Sequence, residues 1–207
     1  MPQRYVLYGR PGSGSVAVQV ALEEIGAPYE RVWVGRESAD VERFRALNPA
    51  GRVPALQLPD GTVMFESAAI LIHLALAHPE ARLGPAPGSL AHARFLQWMV
   101  YLSANVYEAA LRIYYSGRYT SRGEADAEVV RQRGMADFLD FLALPARALG
   151  PYLLGESASI GDVYLYMLAS WYPEAAQLEA RLPSLAEHAR RVRARPAVAK
   201  VEADHAT

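Results

Sequence analysis

The sequence predicts an α/β N-terminal domain of order βαβ-α-ββα followed by an all-α domain, and three observations carry that prediction. Strand-like and helix-like segments alternate over the first eighty residues. A stretch rich in proline and glycine, residues 79–89, then interrupts the chain. Beyond it apolar residues recur at helical spacing. The boundaries fall at 1–80 for the α/β domain, 81–89 for the linker and 90–207 for the helical domain.

Each element has its own signal. Tyr5-Val6-Leu7-Tyr8 is a short β run, and Gly9 to Gly14 is a turn. Ser15 to Ile25 carries apolar residues at helical spacing until Gly26 stops it. Tyr29 to Val34 is a second strand, and Ala39 to Leu47 a polar helix ended before Asn48-Pro49. Ala55–Leu58 and Val63–Phe65 flank Pro59-Asp60-Gly61, a turn signal that makes them an antiparallel hairpin. Ser67 to Ala77 is an apolar helix. In the second half, Leu90–Tyr115 and Glu124–Leu149 read as long helices, the latter with Pro145 as a candidate kink. Ser159–Trp171, Pro183–Arg193 and a tail after Pro196 complete the set. The arginine run from Arg190 to Arg195 reads as a solvated helix end.

Composition removes several function classes. Among 207 residues, 52% are hydrophobic and 21% charged, the profile of a folded protein. Basic and acidic residues number 21 and 22, so bulk charge gives no argument for nucleic acid or an anionic membrane. There is no cysteine, hence no disulfide, thiolate metal site or cysteine nucleophile. Any thiol chemistry must bring its sulfur in a ligand. The histidines (His73, His78, His92, His188, His205) lack metal-motif spacing, so no metal is expected. The longest apolar run, Ala68–Ala77, is too short to span a bilayer, and no signal segment is evident, which leads to the expectation of a cytoplasmic protein.

Three short motifs carry chemistry. Pro54, in Gly51-Arg52-Val53-Pro54-Ala55, stands at a strand entry and has no N–H. A trans turn proline is its ordinary reading. A cis Val53–Pro54 bond, a form taken by only ~5–6% of X–Pro bonds, would present the Val53 backbone to a ligand. Ser67 opens a helix, where a hydroxyl caps N–H groups and the positive dipole end attracts a carboxylate. With Glu66 as acceptor for an ammonium, the pair suits a zwitterionic amino-acid head; taken by itself, the motif reads first as an ordinary helix cap. Ser159-Ile160-Gly161-Asp162 has the form of a capping box and reads as structural.

Taken together, in this order, these motifs resemble the cytosolic glutathione transferase superfamily. The likeness runs from about Tyr5 to about Arg193. It rests on Ala21-Leu22-Glu23-Glu24-Ile25-Gly26-Ala27-Pro28-Tyr29-Glu30, on Asn48-Pro49-Ala50-Gly51-Arg52-Val53-Pro54-Ala55-Leu56, on Glu66-Ser67-Ala68-Ala69-Ile70 and on Ser159-Ile160-Gly161-Asp162. The resemblance implies a thioredoxin-like N-terminal domain that holds glutathione as co-substrate. It also implies a helical domain lining a second-substrate pocket, and a homodimer. It implies that Pro54 is cis, that the Val53 backbone pairs with the cysteinyl part of glutathione, that Glu66 and Ser67 hold the γ-glutamyl head, and that Arg52 lies near the glycyl carboxylate.

The group that activates the sulfur is less plain. Tyr8-Gly9-Arg10-Pro11-Gly12-Ser13-Gly14-Ser15 is most similar to the bacterial beta-class pattern, yet Gly14 stands where that class has cysteine and Gly12 where serine-type classes have serine. Ser13, Ser15 and Tyr8 are the candidate catalytic hydroxyls; each also has a structural reading, as a cap or as strand packing. Backbone N–H groups alone are a further alternative. In the long helix, Asn105 keeps a polar group in a segment that the resemblance places near glutathione. Arg10, Tyr107, Arg112 and Tyr114 are candidates for the second-substrate pocket, with core or dimer packing as the competing reading. The expected function is a transferase acting on small hydrophobic electrophiles. A glutathione-dependent isomerase of the maleylacetoacetate type and a binding protein without turnover are the alternatives.

Overall fold

The computed structural model describes residues 4–206. In the first half, β1 (Tyr5–Gly9), α1 (Ser15–Ile25), β2 (Tyr29–Trp33), α2 (Ser38–Leu47), β3 (Ala55–Gln57), β4 (Val63–Phe65) and α3 (Ser67–Ala77) follow one another. The four strands form a mixed sheet of order β2-β1-β3-β4. β1 runs parallel to β2 and antiparallel to β3, and β3 pairs antiparallel with β4.

Alternation along β1 sets the two layers. Tyr5, Leu7 and Gly9 are buried, whereas Val6 and Tyr8 are half-buried. The Gly9 side of the strand faces α1, because a Cβ there would meet Ser15 Oγ at 2.5 Å. Tyr8 points to the other layer, where its ring lies 5.9 Å from Phe44 of α2. Helix α1 is buried on nearly every side from Ala17 to Leu22, including the polar Gln19. A helix covered all round needs partners all round. Here the sheet and α3 cover one side and a helix from the far end of the chain covers another. Gly26 ends α1 in the left-handed conformation, with Ala27 N–H donating to Leu22 O at 3.1 Å.

The rest of the chain is helical: α4 (Leu90–Tyr101), α5 (Glu108–Tyr114), α6 (Glu124–Ala148), α7 (Ile160–Ala169), α8 (Ala175–Arg181), α9 (Pro183–Arg193) and α10 (Pro196–His205). The expected Leu90–Tyr115 helix is interrupted by a π-helical segment, Leu102–Tyr107, between α4 and α5. Pro145 falls in the last turn of α6. Lacking an N–H, it cannot bond to Phe141 O, and that carbonyl accepts the Tyr101 hydroxyl at 2.9 Å. No described helix is long and apolar enough to cross a membrane.

The chain divides into two compact units, and the division differs from the sequence reading in one respect. Residues to Pro87 cluster with those from Arg193 onward, while Gly88–Val192 form the second unit. Helix α10 therefore completes the α/β unit instead of ending the helical one. The arginine run is correspondingly engaged: Arg195 pairs with Glu24 at 2.8 Å, and Arg193 with Glu202 at 3.1 Å. Lys200 reaches Glu23 at 2.7 Å.

Candidate functional site

The sheet register gathers three of the motifs at one end. Tyr8 is paired with Ala55, and Ala55 with Phe65. One residue further along each strand, the row becomes Gly9, Pro54 and Glu66. The turn before α1, the Val53–Pro54 peptide and the start of α3 thus leave the same edge of the sheet. From the first to the last is two inter-strand spacings, roughly 10 Å.

The turn Arg10–Gly14 is tied down from within. Ser13 Oγ lies 2.8 Å from Arg10 O, Ser15 Oγ lies 3.1 Å from the same carbonyl, and the two hydroxyls are 2.9 Å apart. These three contacts share two protons, so either assignment keeps both inside the turn. Ser13 Oγ also accepts from Arg10 N and Ser15 N. Ser15 is fully buried against Gly9. The Gly14 N–H has no acceptor among the described residues. It stands at the N-cap of α1, where no side chain caps the helix and the dipole is positive.

Tyr8 and Arg10 are placed differently from Ser13. The Tyr8 hydroxyl is 3.4 Å from Gln57 Oε1, and its ring packs against the Val34–Phe44–Ala55 cluster. It is a sheet residue on the α2 side. Arg10 Nε donates to Val34 O at 2.9 Å and Nη2 to Gly35 O at 3.1 Å, so its guanidinium ties the turn to the end of β2.

The second strip of the site is the loop into β3. The Val53–Pro54 bond is cis. Asn48, fully buried, organises the approach: Nδ2 donates to Arg52 O at 2.8 Å and Oδ1 accepts from Ala50 N at 3.1 Å. The Val53 N–H and C=O take no part in the sheet ladder or in the turn bonds of the described residues. Arg52 is exposed and Pro54 buried.

At the third strip the cap position is Glu66, one residue before the position expected. Its carbonyl accepts the Ile70 N–H at 3.0 Å, and Ser67 is the first helical residue, buried. No side chain caps α3. Glu66 has φ 70° and ψ 107°, a conformation a non-glycine residue adopts at a cost of about 1–3 kcal/mol. Such costs concentrate at ligand clamps and similar functional positions.

In the helical unit, Tyr107 and Tyr114 meet at Trp171: the Tyr107 ring lies 5.0 Å from it, edge-on, and the Tyr114 hydroxyl donates to its carbonyl at 2.5 Å. Arg112 departs from that group. It bonds Asp137 of α6 at 2.9 Å, over Gly134. Asn105 Nδ2 donates to Tyr101 O at 3.2 Å within the π segment. Asp162, at the start of α7, accepts four hydrogen bonds: Leu153 N at 2.7 Å, Ser159 N at 2.8 Å, Ser159 Oγ at 2.9 Å and His188 Nε2 at 2.9 Å. Ser159 and Asp162 are a buried structural cap.

Comparison with known proteins agrees with both halves. Residues 15–77 match the glutathione S-transferase N-terminal domain, and residues 105–205 match the glutathione S-transferase C-terminal domain. The chain belongs to the glutathione S-transferase family. Its relatives include the uncharacterised GST-like protein YncG of Escherichia coli K12, 30% identical over 81% of this chain and 82% of the relative. Glutathione S-transferase GstA of Escherichia coli O157:H7 is 27% identical over 93% of this chain and 94% of its own length. Among solved structures, a glutathione transferase homologue from Sulfitobacter with bound glutathione superposes with a TM-score of 0.88. It is 30% identical and covers 98% of both chains. A sphingomonad glutathione S-transferase complexed with glutathione gives 0.81 at 30% identity, covering 97% of this chain and 98% of that one.

Against this glutathione S-transferase background, several residues escaped the sequence reading as candidates. Asn48 holds the loop that carries Val53, and its signal was an asparagine before Pro49 in a turn. Gly9 matters because its missing Cβ is where Ser15 packs. His188 sits opposite Asp162, twenty-six positions away. Gln19 and His205 join α1 to α10. Contacts this distant in sequence leave no local pattern.

Proposed function

We propose that the chain binds glutathione along the sheet edge and conjugates it, through its sulfur as thiolate, to small electrophiles. The observation that carries the reading is the row Gly9–Pro54–Glu66. An extended tripeptide spans at most ~10–11 Å, which matches two strand spacings. The three strips supply complementary chemistry along that length. Glu66 and Ser67, at the uncapped start of α3, suit the γ-glutamyl ammonium and carboxylate. The unpaired Val53 backbone suits the cysteinyl residue, with the Arg52 cation toward the glycyl carboxylate. The sulfur then falls at the start of α1.

There the Gly14 N–H and the helix dipole favour thiolate over thiol, which otherwise has a pKa near ~8.5. The thiolate lone pair forms a C–S bond with an electron-poor carbon. Either a leaving group departs with its bonding pair, or an activated double bond accepts the electrons and a proton follows from solvent. Ser13 and Ser15 act by shaping the turn, since their protons are shared between Arg10 O and each other. In this reading Tyr107, Tyr114 and Trp171 offer an apolar surface for the electrophile, and the working form is a homodimer.

A calorimetric titration with glutathione tests the proposal, with thiolate absorbance of the complex followed against pH. Micromolar to millimolar binding with a thiol pKa below that of free glutathione is the expected result. Absence of binding at millimolar glutathione overturns it. Binding without a lowered thiol pKa points to a binding protein with no turnover, a reading the committed hydroxyls of Ser13 and Ser15 favour.

A further inference from the structure

Besides the Arg10 bonds to the end of β2, the turn before α1 has a hold from the far end of the chain. Gly12 N–H donates to His205 Nδ1 at 3.2 Å, across 193 positions of sequence. Gly12 and Gly14 flank Ser13, and glycine is the residue whose backbone is most costly to fix. Gly12 also adopts φ 64°, the left-handed region. An external hydrogen bond therefore fixes a peptide of the turn, at Gly12, that the Ser13 and Ser15 bonds do not reach.

The polarity of that bond follows from its neighbours. Tyr29 OH donates to Glu23 Oε1 at 2.6 Å, so the Tyr29 oxygen accepts from Gln19 Nε2 at 3.0 Å. Gln19 Nε2 donates also to Asp204 Oδ2 at 2.8 Å, which occupies both amide protons. Gln19 Oε1 is then the acceptor for His205 Nε2–H at 2.9 Å. With its proton on Nε2, the neutral ring presents a lone pair at Nδ1, as the Gly12 N–H requires. The ring packs edge-on against Trp33 at 5.0 Å, with the Arg31 guanidinium 4.4 Å from the Trp33 centroid and 3.0 Å from Asp204. Burial and the Arg31 cation hold the imidazole neutral down to a pKa of about 4, against which Asp204 pulls weakly.

We propose that His205 is a positioning residue for the thiol-binding turn: by holding the Gly12 N–H, it sets the orientation in which the Gly12–Gly14 peptides meet the glutathione sulfur. This rests on the glutathione reading above. His205 touches no reacting atom in this account. It acts through Gly12, and the part-buried Gln19–Tyr29–Glu23 relay keeps it in the required tautomer.

The test compares wild type with H205A, H205F and H205N. Two readouts are taken: amide exchange of Gly12 by NMR, and the thiol pKa of bound glutathione by thiolate absorbance. For H205A, Gly12 exchange should accelerate at least about tenfold, and the bound thiol pKa should rise by about one unit, which is roughly tenfold less thiolate at a pH well below that pKa. H205N should restore both, because its Oδ1 takes the place of Nδ1. H205F keeps a ring against Trp33 and should behave as H205A does, which covers the case in which H205A fails to fold. Unchanged Gly12 exchange in both ring-nitrogen deletions overturns the proposal. So does faster exchange with an unchanged thiol pKa, which would leave His205 a structural tie only. Failure of wild type to bind glutathione brings down the glutathione reading and this inference together, whereas normal binding with unaffected variants removes His205 alone.

Discussion

Tyr101 donates its hydroxyl to the carbonyl of Phe141, the acceptor that Pro145 leaves without its helical donor. A proline late in α6 is thereby compensated from α4, and burial raises the Tyr101 pKa, so the hydroxyl stays protonated. Tyr101→Phe should cost about 1 kcal/mol of unfolding free energy, measured by denaturant titration. In a Pro145→Ala background the Ala N–H bonds to the Phe141 carbonyl, and the same substitution should cost less than half as much. Equal costs in both backgrounds would show that the two groups are not coupled.

The hydroxyls of Ser13 and Ser15 converge on one carbonyl, so they should behave as parts of the turn. Ser15→Ala and Ser13→Ala should each lower the melting temperature. Turnover of an activated aryl halide should fall less than about tenfold in either, because loss of a donor aimed directly at developing negative charge costs about 10²–10³-fold. A hundredfold loss in Ser13→Ala with an unchanged melting temperature would move that hydroxyl onto the sulfur.

Asp162 is 1% exposed and accepts from four donors. Its removal strands the Leu153 and Ser159 N–H groups, the Ser159 hydroxyl and His188 in a dry interior. Asp162→Ala should destabilise by about 3–5 kcal/mol. Asp162→Asn keeps the shape but replaces one acceptor oxygen by a donor, and should fall between that variant and wild type. A wild-type unfolding midpoint in Asp162→Ala would contradict the buried cap.

His205 also gives the α/β unit an acid-sensitive element. Its folded pKa, about 4, lies below the usual value near 6.5, so between these the unfolded chain binds more protons than the folded one. The stability it supports is complete above pH ~6.5 and declines as pH falls toward 4. Arg31 and Asp204 are the charged groups facing it, and Gln19 the polar one. Thermal melts across that window should show a steeper acid slope in wild type than in H205F. Parallel slopes would assign the acid loss in that window to other groups, and Glu23 is not one of them. Burial opposes the ionised form of Glu23, but bonds to Lys200 and Tyr29 outweigh it and hold its pKa low, so its contribution fades only as pH falls below the usual carboxylate range.

Much of the α/β half was legible because its cues are local. Pro59-Asp60-Gly61 marked the hairpin, Gly26 ended α1, and the Val53–Pro54 and Glu66–Ser67 motifs lie at strand ends whose register follows from alternation. The placement of the Ser13 and Ser15 hydroxyls was not legible, since the direction of the Ser15 side chain depends on the missing Cβ of Gly9 across the turn. The π segment 102–107 also left no trace, because a shift from i+4 to i+5 bonding changes backbone pairing without changing the apolar pattern. Helix α10 was visible as a helix. Its address on α1 was not, since Lys200, Asp204 and His205 find partners more than 170 positions away.

That return of the tail orders the steps of biosynthesis. A ribosome delivers residues 15–25 early, yet the surface that covers Gln19 is delivered only after the whole helical unit has been made. Until then the nascent α/β unit carries an open apolar flank on α1, the kind of exposed surface that chaperones hold. Completion of the N-terminal unit therefore waits on synthesis of the helical unit.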